Sequence, residues 1–173
     1  MTPKNMEFVP EKKISVLFVC LGNICRSPTG ESVLKKIVSE KGFGHLFHIE
    51  SAGTGNYHIG ERPDPRTRQH GEKRGLQFDS LAQQFNPQLH FELFDYILCM
   101  DQSNLKNVSL KDSNQKYQNK ILSIMSFAPE SGYSIVPDPY TGGPQDFDLV
   151  IDLLEVACLK FYEHLKLSTR VQR

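Results

Sequence analysis

Residues 14–28, Ile14-Ser15-Val16-Leu17-Phe18-Val19-Cys20-Leu21-Gly22-Asn23-Ile24-Cys25-Arg26-Ser27-Pro28, divide into three unlike parts. Ile14 to Val19 is rich in β-branched residues and almost continuously apolar, the pattern of a strand buried on both faces. Ser27-Pro28 is the pair expected at a helix N-cap and first helical position. Beyond it Val33, Leu34, Ile37 and Val38 recur at helical spacing, and Gly42 supplies a stop. The chain therefore opens with a strand, a tight loop and a helix.

The same alternation continues outward. Phe47 to Ala52 reads as a second strand, ended by Gly53 and Gly55, and Pro65 to Arg74 as a polar helix stopped by Gly75. Asp95 to Met100 is a third strand with a short helix, Asp101 to Leu110, after it, and Lys120 to Met125 is a fourth strand. Phe147, Val150, Ile151, Leu154, Cys158, Phe161 and Leu165 form one apolar stripe along a final helix. Alternating strands and helices predict an α/β fold of three layers, a four-stranded parallel sheet flanked by helices on both faces (flavodoxin-like). Ligands of such sheets bind beyond the carboxyl ends of the strands. Cys20, Gly53, Asp101 and the Asp138 region each follow a predicted strand, so they converge on that edge.

A length of 173 residues with 39% hydrophobic content suits one domain, 1–173, with 1–13 and 167–173 read as flexible ends. Lysine plus arginine and aspartate plus glutamate number 20 each, so the formal net charge is zero. That balance argues against a nucleic-acid or anionic-membrane partner, which needs a basic excess. The cysteines Cys20, Cys25, Cys99 and Cys158 are too scattered for a disulfide scaffold. The apolar run Ile14 to Leu21 is too short for a signal peptide or a membrane span. A soluble cytoplasmic protein with reduced thiols, acting as a monomer or weak dimer, is expected.

The loop carries the chemistry. A connection this short between Cys20 and Arg26 curls its backbone N–H groups inward into an anion-binding nest, and the helix that follows adds its own N–H groups and positive dipole end. Gly22 and Asn23 tolerate the positive φ values that such a curl requires. Arg26 offers a fixed fork of donors for two phosphate oxygens, and the same donors, with Ser27, favour the thiolate of Cys20 over the thiol. The thiolate is then a nucleophile below a bound phosphorus, with Leu21, Gly22, Asn23, Ile24, Cys25, Arg26 and Ser27 as the phosphate-binding loop. No cofactor is expected and no metal, since no His, Asp and Cys cluster has ligand spacing.

Cys20 to Glu31, CLGNICRSPTGE, resembles the signature of the low-molecular-weight protein tyrosine phosphatases. Ser51-Ala52-Gly53-Thr54, Pro63-Asp64-Pro65-Arg66, Asp95-Tyr96-Ile97-Leu98-Cys99-Met100-Asp101 and Asp138-Pro139-Tyr140 follow in that family's order and spacing. The resemblance spans roughly residues 14 to 166. It implies hydrolysis of a tyrosine-phosphorylated protein or small aryl phosphate, with Cys20 forming a cysteinyl-phosphate and Arg26 stabilising the transition state. It implies that Asp138 is general acid and then base, that Ser27 stabilises the thiolate, and that Asn23 braces the loop through Ser51. Tyr57 and Tyr140 become the aromatic walls of the substrate slot, and Cys25 a redox partner for Cys20. Cys99 and Cys158 are read as core. On its own terms, Asp138-Pro139-Tyr140 before Gly142-Gly143 is a rigid turn that can carry a carboxyl group over the pocket.

Three other activities fit the loop less well. An arsenate reductase needs a relay of cysteines, and none lies between Lys106 and Asp138. Arginine phosphatases of the family carry threonine where this chain has Ile24, whose apolar side chain suits a flat aryl ring instead. A binding module without turnover has no use for both Cys20 and Asp138. Tyr57 replaces the tryptophan of some relatives, and Thr141 stands where many have a second tyrosine.

Overall fold

The computed structural model describes residues 12–171, with side chains through Lys166. The reading of residues 1–11, 172 and 173 as flexible ends lies outside the described residues. Four strands, β1 (Ile14–Cys20), β2 (Phe47–Gly53), β3 (Tyr96–Cys99) and β4 (Ile121–Ser123), form one parallel sheet in the order β2-β1-β3-β4. Five α-helices accompany them: α1 (Arg26–Glu40), α2 (Pro65–Glu72), α3 (Pro87–Leu93), α4 (Gln102–Lys111) and α5 (Pro144–Val171). The architecture is the expected three-layer, flavodoxin-like α/β fold.

The period of two in β1 divides the core. Val16, Phe18 and Cys20 point to the side of α1 and α5, where they join Leu34, Leu98, Met100, Ile151, Leu154 and Phe161. Leu17 and Val19 point the other way, toward Phe85, Phe91, Phe94 and Val108 beneath α3 and α4. Both faces of β1 are covered, which is why its sequence runs apolar without alternation.

Two boundaries and one element depart from expectation. α1 begins at Arg26 with Cys25 as its N-cap, not at Ser27-Pro28. The Ser27 hydroxyl does not cap the helix; it lies against the Cys20 sulfur instead. β4 ends after three residues and passes into a 3-10 turn, shorter than the predicted strand. α3 is an additional helix, capped by Asn86, whose side chain accepts the Gln88 N–H at 3.1 Å. The stop predicted at Gly75 holds: its φ of +81° is left-handed, and Leu76 N–H returns to Gly71 C=O at 3.0 Å. At the other end of the chain, α5 carries the backbone helically through Val171.

Candidate active site

The phosphate loop sits where β1 runs into α1, and its shape is set by neighbours on both sides. β2 ends against it: Thr54 N–H donates to Cys20 C=O and Gly55 N–H to Leu21 C=O, both at 2.9 Å. Glycine is required at 53, because a Cβ there would stand 2.7 Å from Leu21 O and 3.2 Å from Asn23 N. Asn23 takes a left-handed φ of +56°. Its buried amide donates to Ser27 Oγ at 2.8 Å and to Ser51 Oγ at 2.9 Å, and accepts Gln83 N–H at 3.0 Å.

These bonds impose a direction. Ser51 donates to the buried Glu31 carboxylate at 2.6 Å, so its lone pairs face the Asn23 amide. Ser27 Oγ accepts from Asn23, which leaves its hydroxyl proton for the Cys20 sulfur at 3.0 Å, nearer than the other acceptor, Ala52 C=O at 3.5 Å. Asn23 N–H donates to the same sulfur at 3.2 Å. The sulfur thus meets a backbone and a hydroxyl donor. Glu31 is in turn paired with Lys35 at 2.6 Å. Glu31 and Gln83 were not among the residues singled out from the sequence.

Arg26, 3% exposed, is held from β3 and from the chain beyond β4. Its Nη1 donates to Asp101 Oδ2 at 2.6 Å and to Val136 O at 3.1 Å. Asp101 is itself fixed by a capping box with Asn104 at the start of α4. Burial opposes the charge of Arg26, but Cys20 and the Asp101 carboxylate outweigh it and hold the guanidinium above its ordinary value. Nη1 is therefore spent on the protein, and the Nε–Nη2 edge remains for a bound anion. Asp138 Oδ2 lies 3.7 Å from Nη2, with its side chain half-exposed at the mouth.

Cys20, Leu21, Gly22, Ile24, Cys25, Arg26, Tyr57, His58, Asp138 and Tyr140 line one pocket of about 220 Å³. The expected loop, carboxylate and aromatic residues are thus brought together, and Ser51 lies behind the loop on the Asn23 amide. Tyr57 stands 70% exposed with its ring against the Gly55 backbone. His58, which sequence reasoning passed over, lies closer in. Its ring edge would meet a Cβ at Gly22 at 3.1 Å, its Nδ1 pairs with Glu61 at 2.7 Å, and its centroid is 6.4 Å from that of Tyr140. The single sequence signal was a histidine and a glutamate three residues apart in a rim loop. Cys25 packs with Ile24, Ala82 and Phe147, and burial pushes its thiol up to about 12.

Known proteins resemble this chain in sequence and in fold. The family model for low molecular weight phosphotyrosine protein phosphatase matches residues 15–171. The rat low molecular weight phosphotyrosine protein phosphatase is 40% identical over 150 residues, 86% of this chain and 94% of the rat chain. The fission yeast (Schizosaccharomyces pombe) enzyme of the same name is 42% identical over 146 residues, 83% of this chain and 92% of its own. The crystal structure of a protein tyrosine phosphatase from Entamoeba histolytica, with Hepes in the active site, superposes with a TM-score of 0.86 at 39% identity, covering 90% of this chain and 99% of that one. A Drosophila arginine phosphatase superposes at 0.80 with 31% identity, covering 86% and 96%. By the matched model, by identity and by fold, this chain belongs to the low-molecular-weight phosphotyrosine protein phosphatase family.

Proposed function

We propose that this protein hydrolyses phosphotyrosine on proteins, and small aryl phosphates, through a cysteinyl-phosphate on Cys20. The observation that carries the reading is the Cys20 sulfur held by two donors at the base of a pocket whose wall includes Arg26 and whose mouth includes Asp138. In the first step the thiolate attacks phosphorus in line. The S–P bond forms as the P–O bond to the aryl group breaks, and Asp138 gives its proton to the departing oxygen. Charge on the equatorial oxygens is met by loop N–H groups and the Nε–Nη2 edge of Arg26. In the second step Asp138 takes a proton from water, water attacks phosphorus, and Cys20 leaves as thiolate. No step calls for a metal or a cofactor.

The slot favours an aryl ester. Ile24, Tyr57, His58 and Tyr140 offer flat and apolar surface, and Ile24 brings no hydroxyl for a guanidinium substrate. Cys25 gives the site a reversible response to peroxide. Peroxide oxidises Cys20 to its sulfenic acid; attack by the Cys25 sulfur then forms the S–S bond as the hydroxyl leaves with the Cys25 thiol proton as water, and a thiol reopens the Cys20–Cys25 disulfide. Such a site suits a reducing compartment such as the cytoplasm, with the whole chain as one catalytic domain.

The test is hydrolysis of p-nitrophenyl phosphate and of phosphotyrosine by the wild type, Cys20→Ser and Asp138→Ala. Wild-type turnover, none in Cys20→Ser, and a loss of about 10²–10⁴-fold on phosphotyrosine in Asp138→Ala are expected. An inert wild type overturns the activity, and an active Cys20→Ser overturns the mechanism.

A further inference from the structure

Pro63-Asp64-Pro65-Arg66 has no part in the chemistry above, yet it joins the two loops that perform it. Asp64 N–H donates to Ile24 C=O of the phosphate loop at 2.8 Å. Its carboxylate caps α2 through Arg66 N–H at 2.8 Å and grips the Arg66 side chain twice, at Nε (3.1 Å) and Nη2 (2.9 Å). The guanidinium is thereby fixed in orientation. It lies 5.5 Å from the ring centroid of Tyr140 and 4.7 Å from that of Phe147, which is buried with Ile24 and Cys25. Tyr140 N–H in turn donates to Asp138 Oδ1 at 3.1 Å.

The turn from 138 to 143 needs such a brace. Its approach is anchored where Val136 bonds Met100 and Arg26, and its exit where Gly143 N–H meets Asp146 Oδ2 at 2.8 Å. Between these anchors Asp138 and Tyr140 are about half exposed. The arginine supplies what a lysine cannot, a plane that stacks on one ring while its edge is gripped by a carboxylate. The Asp64 carboxylate is buried and the guanidinium only partly exposed, so the grip fixes the orientation of Arg66.

We propose that Arg66, oriented by Asp64, is a positioning residue that holds Tyr140 and, through its backbone, the proton-donating carboxyl of Asp138 over the leaving oxygen. The proposal rests on the phosphatase reading. A good leaving group departs with little protonation, so misplacing Asp138 penalises poor leaving groups selectively.

The test measures kcat/KM over a series of aryl phosphates from p-nitrophenyl to phenyl phosphate for the wild type, Arg66→Met, Arg66→Lys and Asp64→Asn. In Arg66→Met the expected loss is about 3-fold or less for p-nitrophenyl phosphate and on the order of 10-fold or more for phenyl phosphate, steepening the leaving-group dependence. Arg66→Lys, which keeps the charge but not the plane, and Asp64→Asn, which loosens the grip, are expected to steepen it less. Parallel losses across the series, or none, in both arginine variants overturn the proposal. A wild type that hydrolyses no member of the series overturns the phosphatase reading instead.

Discussion

At the scale of single residues, the site is braced by a buried amide, and the four thiols of the chain stand in unlike surroundings. Asn23→Ala removes three hydrogen bonds and places alanine in the left-handed region. A stability loss of about 2–4 kcal/mol is expected in a denaturant titration, with reduced kcat/KM because Ser27 loses the donor that turns its proton to Cys20. Burial pushes the thiols of Cys25 and Cys99 up to about 12 and that of Cys158 higher still. A thiol raised in this way stays protonated, and so slow toward an alkylating agent, through neutral and mildly alkaline pH. Iodoacetate at pH 7 is therefore expected to label Cys20 alone, read by peptide mass spectrometry, and protection by inorganic phosphate places that thiol under the anion site. The contact between Asn23 and Ser51 was legible from the family motif. Glu31 and Gln83 were not, because a glutamate on a helix and a glutamine in a loop carry no mark of burial until the chain folds.

At the scale of elements, strand ends and caps do the positioning. Gly53→Ala drives a Cβ into the Leu21 carbonyl, a backbone atom that cannot move aside without opening the phosphate loop. Loss of both activity and stability is expected, on the order of 1–3 kcal/mol for the strain, visible as a lowered melting temperature. The Asp64 cap has a pH signature. Hydrogen bonds from Arg66 hold this carboxyl below its ordinary value of 3.8, in spite of partial burial. A group depressed by folding contributes stability above its unfolded value and loses it as pH falls through the folded one. The melting-temperature gap between the wild type and Asp64→Asn is therefore expected to be full at neutral pH and to close below about pH 4. β1, the first strand of the described residues, was plain in the sequence because both its faces are covered. α3 was not, since seven residues with Leu89 and Leu93 exposed and His90 and Phe91 buried make too short a stripe to read. Its Asn86-Pro87 start was a usable signal.

At the scale of the molecule, a parallel sheet delivers the ends of three strands and the chain beyond the fourth to one edge. Cys20 ends β1, Gly53 ends β2, Asp101 follows β3, and Val136 and Asp138 lie beyond β4. Alternation of strand and helix made that edge legible, but not the strand order, because fully buried strands look alike from either side. The long stripe of α5 was equally clear, and it packs against α1, the helix that starts at the phosphate loop. Leu154, fully buried on that stripe, is expected to cost about 2–5 kcal/mol on replacement by alanine. Turnover well below the melting temperature should be nearly unaffected, since Leu154 lines no part of the pocket. The shared edge matters only if it serves one nucleophile. That claim is tested most directly by rapidly quenching Asp138→Ala during turnover of p-nitrophenyl phosphate and locating the phosphoryl group by mass spectrometry. A phosphoryl group on Cys20 is the predicted result, while one on any other residue, or turnover with no phosphoenzyme, would contradict the account.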